Sequence, residues 1–153
     1  MKFFFVLFVI LVLCFKNAQA DEVNCLALNI YHEARNQPLV GKLAVAQVTI
    51  NRVNDNRFPD TLCAVVMQGF YHNHFPIKHK CQFSWYCDGK SDKPKDKESW
   101  QKIQILAFKI HNGLFRGIDI VKGATHYHAN YVKPNWIKKK KKVLIIADHI
   151  FYK

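Results

Sequence analysis

Glu33 stands in the run Ile30-Tyr31-His32-Glu33-Ala34-Arg35, between an aromatic, a histidine and an arginine, at the end of an apolar stretch. Carboxylates are scarce in this chain, which carries 11 Asp and Glu against 23 Lys and Arg. A carboxyl group set against apolar and aromatic neighbours holds its proton towards neutral pH and can hand it to a leaving oxygen, which is general acid catalysis. The plain structural reading is a surface Glu paired with Arg35 or a lysine.

Three other groupings carry chemistry. Gln82, Ser84 and Trp85 combine an amide, a hydroxyl and an indole face, a set suited to lining a sugar groove. Phe83 and Trp85 can equally be core, because aromatics dominate cores. His126 and His128 alternate around Tyr127, so on a strand the two histidines share one face. No third ligand follows at a recognised spacing, and His32-Glu33 is not part of an H-E-x-x-H helix, so no metal is expected. The simpler role for either histidine is a structural hydrogen bond.

The last grouping is the cysteines. Residues 1–20 read as an export leader, with Lys2, an apolar run from Phe3 to Phe15, and Ala18-Gln19-Ala20 as a cleavage site. Its apolar run is short for a membrane span. Beyond it remain Cys25, Cys63, Cys81 and Cys87, which in an exported chain point to two disulfides. Three pairings are open. Cys81 with Cys87, which closes a short loop, and Cys25 with Cys63 are favoured. A zinc site is the rival, weakened by the lack of a C-x-x-C pair.

The elements that must position these groups follow from periodicity. Leu26, Ala27, Ile30 and Ala34 predict a helix over 25–34 with Glu33 in its last turn. A second helix is expected from Pro38 to about Val53, and a third over Leu62–Gln68 with Asp60 as its cap. Residues 69–98 read as irregular, with a β-prone island at Cys81–Tyr86. A fourth helix spans about Lys97–Asn112 and stops at Gly113. Ile118–Val121, Thr125–Ala129 and Val143–Tyr152 read as strands. Helices followed by strands make one α+β domain, mostly helical, with a small β region in the C-terminal half.

Charge adds a partner class. Residues 1–20 hold Lys2 and Lys16 and no carboxylate, so residues 21–153 keep +10 of the total +12. That excess directs the chain towards an anionic polymer or surface, such as wall polymer, anionic lipid or nucleic acid, or simply keeps it soluble. The block Lys138–Lys142 repels itself and belongs in a solvated loop.

Taken in order, the motifs form a recognisable series. Leu26 to Arg35 is followed by Gly41-Lys42-Leu43-Ala44-Val45-Ala46-Gln47-Val48-Thr49-Ile50-Asn51-Arg52-Val53, and then by Phe58-Pro59-Asp60-Thr61 with Val65-Val66. Gln82-Phe83-Ser84-Trp85 with Cys87-Asp88-Gly89 comes next, then Gly123-Ala124-Thr125-His126-Tyr127-His128-Ala129, Pro134-Asn135-Trp136 and His149-Ile150-Phe151-Tyr152. Over residues 25–152 the chain resembles the SleB-type cell wall hydrolase family, named for the bacterial spore cortex-lytic enzyme.

The resemblance implies a lysozyme-like catalytic domain over 21–153 that cleaves peptidoglycan glycan strands, without cofactor or nucleic acid. It implies that Glu33 is the catalytic acid, with Tyr31, Gln82, Ser84, Trp85, His126, Tyr127 and His128 as substrate contacts. Export to the periplasm, wall or medium, no stable membrane span after leader removal, and a monomer complete the expectation. The family is thought to work as lytic transglycosylases, which need one carboxylate where ordinary glycosidases use two.

One departure stands out: the family's Arg-Gly-Glu element is Arg35-Asn36-Gln37 here, and Gln37 is expected to cap the second helix. Three alternatives stay open: a muramidase-type hydrolase, a non-catalytic cationic protein that binds wall or membrane, and a zinc amidase acting on the cross-linking peptide.

Overall fold

The computed structural model describes residues 19–153, so all of the expected leader except its last two residues lies outside the described part. Helix α1 runs over 19–34, starting earlier than the apolar stripe alone indicates. Its inward face, Leu26, Ala27, Ile30 and Tyr31, packs on Ile103, Ala107 and Ile110 from the fourth helix, with Ala46 and Leu62 completing the cluster.

Helix α2, Leu39–Val53, is the shared wall of the domain. Ala46 faces the helical cluster, while Ala44 and Val48 face a second cluster with Val121, Ala124 and Phe151. A helix buried on more than one side needs small residues, which explains why Gly, Ala and Val dominate its middle. Gly41 shows the limit, since a Cβ there would lie 2.9 Å from Gln37 Cβ.

Pro38 is the N-cap of α2, and no side chain caps that end. Gln37 therefore does not act as the expected cap. Its amide instead clamps a distant turn: Nε2 donates to Asp148 Oδ2 at 3.0 Å and Oε1 accepts from the Asp148 amide at 3.3 Å. An amide can both give and accept, which this two-way contact with an aspartate requires.

Helix α3, Leu62–Val66, is shorter than expected, and its cap is Thr61 rather than Asp60. The Thr61 hydroxyl accepts from the Ala64 amide at 3.2 Å, and Glu22 of α1 accepts from the Leu62 amide at 2.6 Å. A carboxylate from another helix thus satisfies an orphan donor of the first turn.

Residues 69–98 depart most from expectation. Strands β1, Gly69–His72, and β2, Phe75–Cys81, form an antiparallel hairpin, and the island expected as strand is a short 3-10 turn at Ser84–Cys87. The hairpin turns at Asn73 and His74, both at positive φ (48° and 67°), the backbone of a two-residue primed turn. Cys81–Cys87 and Cys25–Cys63 are bonded, the favoured pairing, which leaves none of these four sulfurs free for zinc.

Helix α4, Lys97–Lys109, is capped by Asp96, whose side chain accepts from the Ser99 amide. Its end unwinds over Ile110–Leu114, with Gly113 at φ 99°. Ile118–Val121 forms turns rather than a strand. The C-terminal sheet has order β3-β5-β4, with β3 His126–Ala129, β4 Lys142–Ile146 and β5 His149–Tyr152, all antiparallel. The result is an α+β fold.

Candidate active site

Glu33 occupies the last turn of α1, and its carboxyl points into the protein towards β3 and α2. The Tyr127 hydroxyl donates to Glu33 Oε2 at 3.1 Å. Burial pushes the Glu33 pKa up, against the opposing effects of the Tyr127 hydrogen bond and the Arg52 charge. Among the described residues Oε1 makes no hydrogen bond, so it is the oxygen free to carry a proton. Burial, and next to it the Glu33 charge, hold the Tyr127 phenol well above 10, so it stays a donor.

Arg52 is almost fully buried and held by three groups. Its Nε donates to Thr125 O at 2.7 Å, and its guanidinium lies over the rings of Phe58 and Phe83 at 5.3 and 5.0 Å. Nη1 is buried without a partner. A fixed positive charge beside a desolvated carboxyl stabilises the ionised form that follows proton release.

A second set of contacts builds the wall. The Trp85 indole stacks on the His32 ring at 4.4 Å between centroids and 13° between planes. Trp85 Nε1 donates to Asn29 Oδ1 at 3.2 Å, Asn29 Nδ2 donates to Thr49 Oγ1 at 3.0 Å, and Thr49 returns to Val45 O at 3.2 Å. This chain ties the Trp85 turn to α1 and α2, although Asn29 and Thr49 are fully buried polar residues. Buried polar groups persist where each finds a partner. Gln82 and Ser84 flank Trp85 and are exposed, and Phe83 is core.

The remaining expected contacts divide. Tyr31 has only 4% of its surface exposed, and its hydroxyl accepts from the amides of Lys95 at 3.0 Å and Asp96 at 2.9 Å. Its ring cannot meet a sugar; it anchors the loop before α4. His128 is buried, with Nε2 against the Tyr152 hydroxyl at 2.9 Å and Nδ1 against Ala129 O at 2.8 Å, so both nitrogens are spent on structure. His126 shares the His128 face, since both meet the Trp136 ring, and it is half-buried. Burial and the nearby Lys140, Arg52 and Arg57 charges push His126 down to about 4, leaving it neutral at pH 7.

Reading the chain alone missed Asn29 and Thr49 and did not place Arg52 among the expected site residues. A signal existed for Asn29, a polar residue inside the apolar stripe of Leu26, Ala27 and Ile30. Nothing local marks Thr49.

With this geometry in view, comparison with known proteins settles the family. A cell wall hydrolase family model matches residues 36–152, and the chain belongs to that family. The match begins just beyond Glu33. Similar proteins include the spore cortex-lytic enzyme of Halalkalibacterium halodurans, 29% identical over 132 residues, covering 86% of this chain and 34% of that protein. The spore cortex-lytic enzyme of Oceanobacillus iheyensis is 40% identical over 48 residues, covering 31% of this chain and 17% of that protein. The chain thus spans about a third or less of the length of these relatives.

Two solved structures share the fold over 86% of the chain. The catalytic domain of the Bacillus cereus SleB protein superposes with a TM-score of 0.59 at 26% identity, over 89% of that chain. The catalytic domain of the germination-specific lytic transglycosylase SleB from Bacillus anthracis gives 0.60 at 27%, over 93% of that chain.

Proposed function

We propose that this protein cleaves peptidoglycan glycan strands at the β-1,4 bond between N-acetylmuramic acid and N-acetylglucosamine, as a lytic transglycosylase with Glu33 as its single acid and base. The observation that carries the reading is the Glu33 carboxyl: desolvated, held at Oε2 by Tyr127, faced by Arg52, and unbonded at Oε1. Family membership and the spore cortex-lytic relatives support a wall substrate.

In the first step Glu33 gives its proton to the glycosidic oxygen as the bond to the muramic anomeric carbon breaks. Arg52 and the Tyr127 hydroxyl stabilise the carboxylate that forms. The muramic 6-hydroxyl then attacks the anomeric carbon and loses its proton to Glu33, restoring the acid. One product ends in a free 4-hydroxyl and the other in a 1,6-anhydromuramic residue. No water is consumed, and no second carboxylate is used. Gln82, Ser84 and the exposed part of Trp85 form the wall on which acetamido groups and a pyranose face would rest. Residues 1–20 would carry the chain out of the cytoplasm to this substrate.

Hydrolysis is the close competitor, for which Asp92 is the candidate second carboxyl. Its main-chain carbonyl meets His32 Nε2 at 2.9 Å, and burial raises its side-chain pKa. Mass spectrometry of soluble products from purified peptidoglycan separates the two. Anhydro-ended fragments that persist in Asp92→Asn and vanish in Glu33→Gln are the expected result. Reducing ends that need both carboxyls would make the enzyme a hydrolase, and no product from the unaltered protein would favour a wall-binding protein.

A further inference from the structure

The β1–β2 hairpin carries a face that nothing in the described protein covers. His72 pairs with Phe75 and Tyr71 with Pro76, with a register shift between Gly69 and Tyr71, and it is exposure that groups Phe70, Tyr71, Phe75 and Ile77 on the hairpin's outward surface. Phe70 is 71% exposed, Phe75 75% and Ile77 40%. Tyr71 is itself 45% exposed, and its hydroxyl reaches the body, donating to Met67 O at 2.6 Å. A two-stranded hairpin is marginal in water by itself. This one is held by the Cys81–Cys87 bond and the Tyr71 contact, and it holds its apolar face outward.

The charges carried by the hairpin itself are of one sign. No carboxylate occurs between Asp60 and Asp88, while Lys78 and Lys80 are exposed on β2, following Ile77. Aromatic and aliphatic side chains flanked by lysines match a lipid surface, whose headgroup layer offers both anionic charge and an apolar phase. A wall polymer offers the charge without the apolar phase.

We propose that the hairpin face of Phe70, Phe75 and Ile77, with Lys78 and Lys80, docks the protein peripherally on an anionic lipid surface. The apolar side chains enter the headgroup boundary and the lysines meet the phosphates. The inference stands apart from the glycan-cleaving reading, since it uses no residue of the Glu33 site.

The test uses the full chain, vesicles of phosphatidylglycerol and phosphatidylcholine or of phosphatidylcholine alone, and hydrogen exchange read peptide by peptide. Expected is slowed exchange over 69–81 on the anionic vesicles only. Phe70→Ser with Phe75→Ser should weaken binding to them by at least about tenfold. Lys78→Glu with Lys80→Glu should weaken it by on the order of tenfold at low salt. Release of fragments from soluble glycan strands should not change in either variant.

Binding to vesicles with exchange over 69–81 unchanged overturns the proposal, because the attachment then lies elsewhere in the chain. Slowed exchange with glycan strands and none with vesicles also overturns it, making the hairpin part of the sugar groove. Protection already present without lipid, and lost when residues 1–18 are removed or on dilution, would assign the face to the chain's own N-terminal segment or to a second copy.

Discussion

The floor beneath Glu33 and the β1–β2 hairpin lie on the same chain but are built on opposite plans. Around Glu33, helices α1 and α2 and strand β3 bury Asn29, Thr49 and Arg52, and each of these is tied to a partner across the fold. The hairpin buries none of its residues and presents Phe70 and Phe75 to solvent. A carboxyl can be desolvated and aimed only where packing prevents rearrangement, so the chemistry belongs on the floor. A surface meant to enter another phase must keep its apolar side chains unsatisfied within the protein, so the hairpin is stapled rather than packed.

The sharpest way to break this contrast is Glu33→Gln. Fragment release should fall by about a thousandfold, within the range for a lost general acid, as measured by soluble product formation. The same variant tests burial through stability. Because the folded-state pKa of Glu33 is raised, its neutral form favours folding at low pH, and that contribution is lost as pH rises through the raised value. Glu33→Gln, which cannot ionise, should therefore melt higher than the unaltered protein on the alkaline side and match it on the acid side.

Removing the disulfides compares the two regions directly. Cys25–Cys63 spans 38 residues and ties α1 to α3, so replacing both by Ala should destabilise the whole domain by about 4 kcal/mol in denaturant unfolding. Cys81–Cys87 spans 6, for which the chain-entropy figure is about 2.2 kcal/mol, and its loss should speed hydrogen exchange in the hairpin before the core. Equal loss of protection in both regions would deny the hairpin its separate status.

Tyr127→Phe is a smaller perturbation of the floor. It removes a hydrogen bond that favours the carboxylate, so the Glu33 pKa should rise further and the alkaline limb of the pH–rate profile should move up. The rate should fall by about tenfold. A pure rate loss with an unmoved profile would reduce Tyr127 to packing. The smallest expected effect on folding is Phe70→Ser with Phe75→Ser, which should leave the unfolding free energy within about 0.5 kcal/mol of the original, as for other exposed positions.

Much of the floor was legible from local pattern. The apolar repeat of α1 placed Glu33 in its last turn, α2 and α4 followed from their stripes, and the short Cys81–Cys87 loop gave the right staple. The hairpin was not legible, because Asn73-His74 lacks the glycine that marks such turns and its residues do not alternate in polarity. Thr61 replaced Asp60 as the α3 cap by a shift of one residue, a choice made by backbone geometry that both side chains could have satisfied.

By itself, the amino-acid order determined the helices, the position of Glu33 on one of them and the excess of positive charge, since periodicity and composition are local properties. Only the tertiary structure decided what Glu33 faces. Its hydrogen-bond partner, Tyr127, is 94 residues away, and the charge beside it comes from Arg52, pinned by the Thr125 carbonyl. The same packing withdrew Tyr31 and His128 from the surface by giving their polar atoms partners inside. Side-chain chemistry can be read along the chain, but burial and distance belong to the assembled core, and those two quantities make one carboxyl among 11 acidic residues the candidate acid.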